Sequence, residues 1–349
     1  MSRWLVIREG ERTRWGGDLR RRYIFEALLQ RTGGTSLELR GPLRRALLDL
    51  RGPRWAVWRR ARVASAELLV PRQLENVREL GVAVAVDIHD EPVLQSEALG
   101  VPLEPAAVTD LRQRIADNSA AFRWLVAPSK PFADLAGLDP ERVIVAGNGT
   151  DSTVIRAEPW PGVPAVGFIS GAAPSRGIEE LIAAMRLVRD DHPTARLLLW
   201  LAATGEASGA YLERLRAVVA GDEWIEIGSA PYDRLSAELG RARMLVIPTP
   251  AHPYWDSVAP IKLYDGMAAG RPTVTTPRTE IVREIEGSEA GLVAAGDGPA
   301  DLAIPIRRLL ADDALAQRLG ASARAAAETR FDWRIVSGRL ADTILADAS

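Results

Sequence analysis

The residues whose types and spacing could do chemistry in this 349-residue chain concentrate in one stretch, Asp256-Ser257-Val258-Ala259-Pro260-Ile261-Lys262-Leu263-Tyr264-Asp265-Gly266-Met267-Ala268-Ala269-Gly270-Arg271-Pro272. Pro260 suits a first helical turn, and Gly270 followed shortly by Pro272 ends one, so the spacing predicts a short helix between them. Lys262 and Asp265 share a face of that helix. Taken alone they read as a surface ion pair worth a few tenths of a kcal/mol. The other reading is an anion site: the helix N-terminus offers free amides and a positive dipole to phosphate, Lys262 adds charge, and Asp265 can accept two vicinal hydroxyls of a ribose.

Lys130 and Lys262 are the only lysines among 44 basic side chains; all the others are arginine. Neither follows a glycine, so there is no Walker phosphate loop, and a Schiff-base or lysine-base mechanism would have two candidates. The chain also lacks G-x-G-x-x-G and G-x-S-x-G, which weakens dinucleotide-binding and hydrolase readings. His89, His192 and His252 show no metal-ligand spacing, and His192 reads as part of a solvated turn. Asp190-Asp191 and Asp312-Asp313 read as helix-capping and surface acids. With no cysteine, disulfides, thiolate nucleophiles and cysteine-ligated metals are excluded.

Parallel sheets must position these residues. Apolar runs at 4–7, 82–86, 124–127 and 143–146 read as strands, with helical patterns such as 19–29 between them. Leu43, Ala46, Leu47 and Leu50 repeat at helical spacing beside Arg44, Arg45 and Arg51, as in a helix that covers a sheet or lies on a membrane surface. A Pro-rich stretch, Glu158 to Pro164, reads as a linker. Strand patterns then resume at 165–169, 196–201, 224–227, 244–247, 273–276 and 291–294, and a helix carries Ile178, Leu181, Ile182, Met185 and Val188 on one face. The expected architecture is α/β, two Rossmann-like doubly wound domains facing across a deep cleft, with ligands at the carboxyl ends of strands. Residues 1–155 form the N-terminal domain, 156–164 the linker, 165–330 the C-terminal domain, and 331–349 a C-terminal helix with the option of packing back on the N-terminal domain.

Net charge is −2, yet residues 1–62 hold 16 basic and 6 acidic side chains, which fits an anionic partner or a solvated arginine face. The longest apolar run, Leu197 to Ala203, is far short of the ~18 residues of a membrane span. Trp4 to Ile7 is shorter than the ~7-residue apolar core of a secretory signal. A soluble, cytoplasmic protein is expected.

The Pro260–Pro272 segment resembles the donor-site signature of retaining glycosyltransferases with the GT-B fold, in the large family numbered four of the glycosyl transferases group 1 type. Its members often read P-x-K-x-x-E-Y-x-A-x-G-x-P, matched here by Pro260, Lys262, Asp265, Ala268 or Ala269, Gly270 and Pro272. Further stretches agree in order: Gly16-Gly17, Ile88-His89-Asp90, Ala127-Pro128-Ser129, Asn148-Gly149-Thr150-Asp151, Gly171 to Gly177, and Phe331-Asp332-Trp333. The resemblance implies a nucleotide-sugar donor, a UDP-sugar or GDP-sugar, with Asp265 on the ribose, Arg176 on the diphosphate and Lys262 beside the phosphates. Gly16 and Gly17 would let backbone approach the transferred sugar, and His89, unless it merely caps its strand end, would point at that sugar. Asp256 or Ser257 could contact sugar hydroxyls, Val258 and Ala259 would lie along the donor, and Ser229 and Tyr232 would line the base pocket.

The sequence departs from the family pattern in three places. Asp265 stands where relatives carry glutamate, withdrawing the carboxylate by ~1.5 Å, and Ser257 stands where they carry a second glutamate. Ala172 replaces a common diphosphate-binding arginine. Ala202-Ala203-Thr204-Gly205 replaces a glycine-rich turn. The resemblance implies metal-independent transfer without a cofactor, His89, Arg176 and Lys262 being the catalytic candidates. Arg176, Lys262 and helix amides would stabilise the leaving diphosphate, and same-face attack would retain configuration without a protein base. The acceptor could be a small molecule, a glycan or lipid-linked; no nucleic acid is implied, and peripheral membrane contact stays open. Ser257 and Ala172 motivate an alternative, a non-catalytic relative that binds a sugar nucleotide or a partner enzyme.

Overall fold

A computed structural model of the chain describes residues 4–9, 17–39, 62–66, 68–80, 84–101, 103–203 and 205–348. It divides into two compact units: Met1–Glu97 with Pro102–Asn148 and Trp333–Ser349, and Gly149–Asp332 with Ala98–Val101. Among the described residues no helix is long and apolar enough to cross a membrane.

In the first unit, β1 (Trp4–Glu9), β2 (Thr35–Leu39), β3 (Arg62–Ser65), β4 (Val84–Asp87), β5 (Trp124–Ala127) and β6 (Val143–Val145) form a parallel sheet in the order β2-β1-β3-β4-β5-β6. The helices are α1 (Gly17–Tyr23), α2 (Glu26–Thr32), α3 (Pro71–Leu80), α4 (Pro92–Ala98), α5 (Pro105–Ala121) and α6 (Lys130–Leu135). β1, β4 and β5 each contain an apolar run, at 4–7, 84–86 and 124–127, because a central parallel strand is covered on both faces. β2 and β3 escape a reading by hydrophobic runs: each is short and carries polar residues. The helical pattern at 19–29 is two helices rather than one. The chain turns at Ile24 and Phe25, and both side chains are fully buried there. The Leu43–Leu50 stripe and Gly16 lie outside the described residues.

The second unit holds β7 (Ala165–Gly171), β8 (Arg196–Ala202), β9 (Ile225–Gly228), β10 (Met244–Ile247), β11 (Thr273–Thr275) and β12 (Gly291–Val293), all parallel, in the order β12-β11-β10-β7-β8-β9. Its helices are α7 (Ile178–Asp191), α8 (Glu206–Val218), α9 (Leu235–Gly240), α10 (Pro253–Ser257), α11 (Ile261–Ala268), α12 (Thr279–Glu286), α13 (Pro299–Ala311) and α14 (Asp313–Ala326). The face of α7 carrying Ile178, Leu181, Ile182, Met185 and Val188 is buried in one apolar cluster with β8 and α13, while α11 and α12 bury theirs in a second. From β7 the chain runs outward through β8 and β9, then returns to place β10 on the other side of β7. That reversal opens a crevice at the carboxyl ends of β7 and β10, where doubly wound sheets bind ligands.

The Pro-rich stretch is anchored within this second unit. Arg271, 2% exposed, donates to the carbonyls of Glu158, Pro159 and Gly240 at 3.0, 2.8 and 3.1 Å, and Trp160 packs against the α7 cluster. The division between units falls just ahead of it, after Asn148. Past Asp332 the chain rejoins the first unit through α15 (Trp333–Asp347), which packs on α2 and stacks Trp333 on Tyr23 with ring centroids 5.9 Å apart.

Candidate active site

Loops leaving β7, β10, β11 and β12 converge at the crevice of the second unit. β7 ends in Ser170 and Gly171, and a 3₁₀ turn, Pro174–Arg176, follows. β10 leads to α10 and then α11, whose N-cap is Pro260 and whose end is closed by Gly270 at φ +70. Lys262, in the first turn of α11, donates to the Ser170 hydroxyl at 3.2 Å, with its ammonium 5.2 Å from the centre of the Phe168 ring. Burial, and then the nearby positive charge of Arg176, push the Lys262 ammonium well below the ordinary lysine range. The Arg176 guanidinium stacks 4.4 Å from the centre of the Trp255 ring, supplied by α10. Two basic groups are thus brought together at a cost to their charged forms, and an anion between or beside them would favour those forms.

Asp265 lies one turn further along α11 and does not pair with Lys262. It is 7% exposed, and its Oδ1 accepts from the Thr150 hydroxyl at 2.8 Å. Burial raises its pKa and the like charge of Asp151 adds to the rise, so despite the Thr150 hydrogen bond the carboxyl sits at about 7. Thr150 is fixed in turn: its N–H donates to the Phe331 carbonyl at 2.9 Å, and next to it the Ser152 hydroxyl donates to Asp332.

The other donor-side residues are less uniform. Ser257 is buried and its hydroxyl donates to the Tyr254 carbonyl at 2.8 Å, closing α10. Asp256 lies 3.5 Å from Arg278, a buried arginine that also pairs with Asp297 at 2.8 Å. Asp297 accepts the Ala251 N–H at 2.8 Å, so Arg278 and Asp297 together hold the loop that leads into α10 and its Trp255. Val258 and Ala259 are buried between α10 and α11, Ser229 is exposed after β9, and Tyr232 packs against the α11 cluster. His252 caps α10 by accepting the Tyr254 N–H at 3.1 Å, a structural duty. Sequence reasoning overlooked Thr150 as a partner of Asp265, and also Ser170, Trp255 and Arg278. A tryptophan beside Asp256 in a polar loop was the available signal for Trp255; Arg278, one of 42 arginines, had none.

In the first unit, His89 follows β4 with its Nδ1 2.9 Å from Oδ2 of Asp87 and its Nε2 3.5 Å from Asp90. Gly17 is the first residue of α1.

Gly177 places Arg176. It has φ +72, and a Cβ there would lie 1.9 Å from the Pro248 carbonyl oxygen. Gly177→Ala is expected to destabilise the chain by about 3 kcal/mol or more, since strained backbone and a backbone clash add. Chemical denaturation of the purified variant checks this; a loss below about 1 kcal/mol would contradict it.

Residues 163–312 match the family model described as glycosyl transferases group 1. A glycogen synthase of Mycobacterium tuberculosis is 27% identical over 241 residues, 65% of this chain and 56% of that relative, so the chain spans about half the length of the curated relatives it matches. Among solved structures, sucrose-phosphate synthase from Thermosynechococcus elongatus superposes with a TM-score of 0.76 at 16% identity, covering 100% of both chains. HepE of Anabaena, in complex with UDP and glucose, superposes with a TM-score of 0.71 at 16% identity, covering 99% of this chain and 100% of that one. The two parallel α/β sheets are those of the GT-B fold, and residues 163–312 are the part of the chain that is similar to the glycosyl transferases group 1 family.

Proposed function

We propose that this protein transfers a sugar from a nucleoside-diphosphate sugar to an acceptor, with the second unit holding the nucleotide. The observation that carries the reading is the convergence of Arg176 and Lys262 at the β7–β10 crevice, one helical turn from the buried carboxyl of Asp265. Diphosphate would meet the two cations and the ribose hydroxyls would meet Asp265. The complex of HepE with UDP and glucose, and the glycogen synthase name of a curated relative, point the same way. Breaking the anomeric C–O bond leaves negative charge on the diphosphate, and Arg176 and Lys262 stabilise it without a divalent cation. The departing phosphate oxygen takes the acceptor proton on the face it leaves, so configuration is retained and no protein base is needed. His89 hydrogen-bonds the transferred sugar.

The test is a thermal-shift panel of UDP, GDP, ADP and dTDP at about 1 mM. One base is expected to raise the melting temperature by roughly 5 °C, as for a site filled to ~100 times its Kd. No shift with any of the four would overturn the reading. The matching nucleotide sugar, incubated with an acceptor library and EDTA, should then release its nucleoside diphosphate as the sugar passes to an acceptor hydroxyl; binding without release would instead identify a non-catalytic relative.

A further inference from the structure

Arg20 is the one arginine of α1 buried to 1% exposure, in a helix whose neighbouring arginines reach solvent. Its Nε and Nη2 donate to the two oxygens of Asp87 at 2.9 and 2.7 Å, and its Nη1 donates to the Gly147 carbonyl and to Asn148 Oδ1 at 3.1 and 3.2 Å. One guanidinium thus ties α1, which begins at Gly17, to the carboxyl ends of β4 and β6. Asp87 is itself 1% exposed. Burial works against its charge, yet Arg20 and His89 outweigh burial and hold the carboxyl down at about 2. A buried pair of this kind is weak as a source of stability, because desolvation offsets most of the attraction. Its geometry is what it contributes.

That geometry ends on His89. The same Asp87 Oδ2 that takes the Arg20 Nε hydrogen bond lies 2.9 Å from His89 Nδ1. Nδ1 is thus within hydrogen-bond distance of the carboxylate, whereas Nε2 is buried with no hydrogen-bond partner among the described residues. Such an orphan invites a functional explanation. An ionised carboxylate beside Nδ1 selects the tautomer with hydrogen on Nδ1 and leaves the Nε2 lone pair for another partner.

We infer that Arg20 and Asp87 are positioning residues for His89: Arg20 fixes the Asp87 carboxylate, which fixes the tautomer and plane of the imidazole. The bearing on sugar transfer rests on the proposed function, but the tautomer does not. With histidine only at 89, 192 and 252, nitrogen NMR resolves each ring, and His89→Gln identifies the His89 signals. At a pH high enough that imidazole is neutral, His89 in the unaltered chain is expected to show one tautomer, Nδ1–H. Asp87→Asn should populate Nε2–H, because the side-chain amide can donate to Nδ1. Arg20→Met should move the His89 ring resonances and leave those of His192 and His252 in place. Arg20→Lys keeps the charge without the fork and should fall between.

In turnover, Asp87→Asn and Arg20→Met are expected to lower kcat roughly 10²-fold, as for misplacement by about 1 Å, with UDP affinity changed less than about twofold. A His89 tautomer identical in the unaltered chain and in folded Asp87→Asn overturns the inference, as does an unmoved His89 ring in folded Arg20→Met. If Arg20→Met does not fold, Arg20→Lys and Asp87→Asn decide it. Failure of UDP to bind the unaltered chain would count against the functional reading and leave the tautomer result standing.

Discussion

Asp265→Asn is expected to raise the melting temperature at about pH 8 while removing most of the nucleoside diphosphate affinity. The carboxyl has an ordinary value of 3.8 and sits at about 7 in the folded chain, chiefly through burial. Between those values the folded chain holds a proton that the unfolded chain has released, so stability falls as pH rises through the window and the full penalty is present above it. A shift of that size is worth about 2–4 kcal/mol, and relief of it should raise the melting temperature by roughly 5–10 °C. Asparagine can still accept the Thr150 hydroxyl, so the substitution removes the charge and leaves the local hydrogen bond. Near pH 4 the two proteins should melt together. Binding moves the other way: an amide oxygen cannot replace a carboxylate receiving two ribose hydroxyls, a loss of about 1.5–3 kcal/mol or roughly 10–100-fold in Kd. In the unaltered chain, affinity should rise as pH passes through about 7, and the variant should lack that rise. Melting curves at several pH values together with titration calorimetry decide the matter; a variant both less stable and equally tight in binding would refute the assignment.

Burial decides which parts of the molecule were legible in the sequence. The apolar runs of β5 and β10 and the stripe of α7 obey burial on both faces or on one, and the structure has them where hydrophobicity alone requires them. β2 and β3 follow no such rule, since short strands with polar ends are fixed by their neighbours in the sheet. At the site, proline, glycine and helical spacing were enough to draw α11 and put Lys262 and Asp265 on it. Their partners were not legible. Ser170 and Thr150 lie 92 and 115 residues away from Lys262 and Asp265, and Arg20 lies 67 residues from Asp87. Local pattern cannot pair residues across such distances, and the abundance of arginine hid the buried, ion-paired Arg20 and Arg278 among the described residues.

Lys262→Met should separate binding of the leaving group from binding of the donor. Burial and the charge of Arg176 depress the Lys262 pKa, so between its folded value and the ordinary 10.5 the unfolded chain binds the extra proton and stability rises with pH. Below that window the ammonium is held at the crevice against its preference. Methionine keeps the length of the side chain and its contact with the Phe168 ring while removing the charge, so the variant should melt at or above the temperature of the unaltered protein. Under the proposed function, an anionic diphosphate offsets the penalty. Because the diphosphate gains charge as the anomeric bond breaks, Lys262 matters more to the transition state and to free nucleoside diphosphate than to the intact sugar nucleotide. Turnover is therefore expected to fall roughly 10²–10³-fold. Affinity for the free diphosphate should fall about tenfold or more, and KM for the sugar nucleotide less than either. The ratio of the last two carries the argument: a cation that served only to hold the phosphates in place would weaken donor and leaving group alike and spare kcat. That pattern, in a variant as stable as its parent, would remove Lys262 from the chemistry and leave Arg176 to stabilise the departing diphosphate alone.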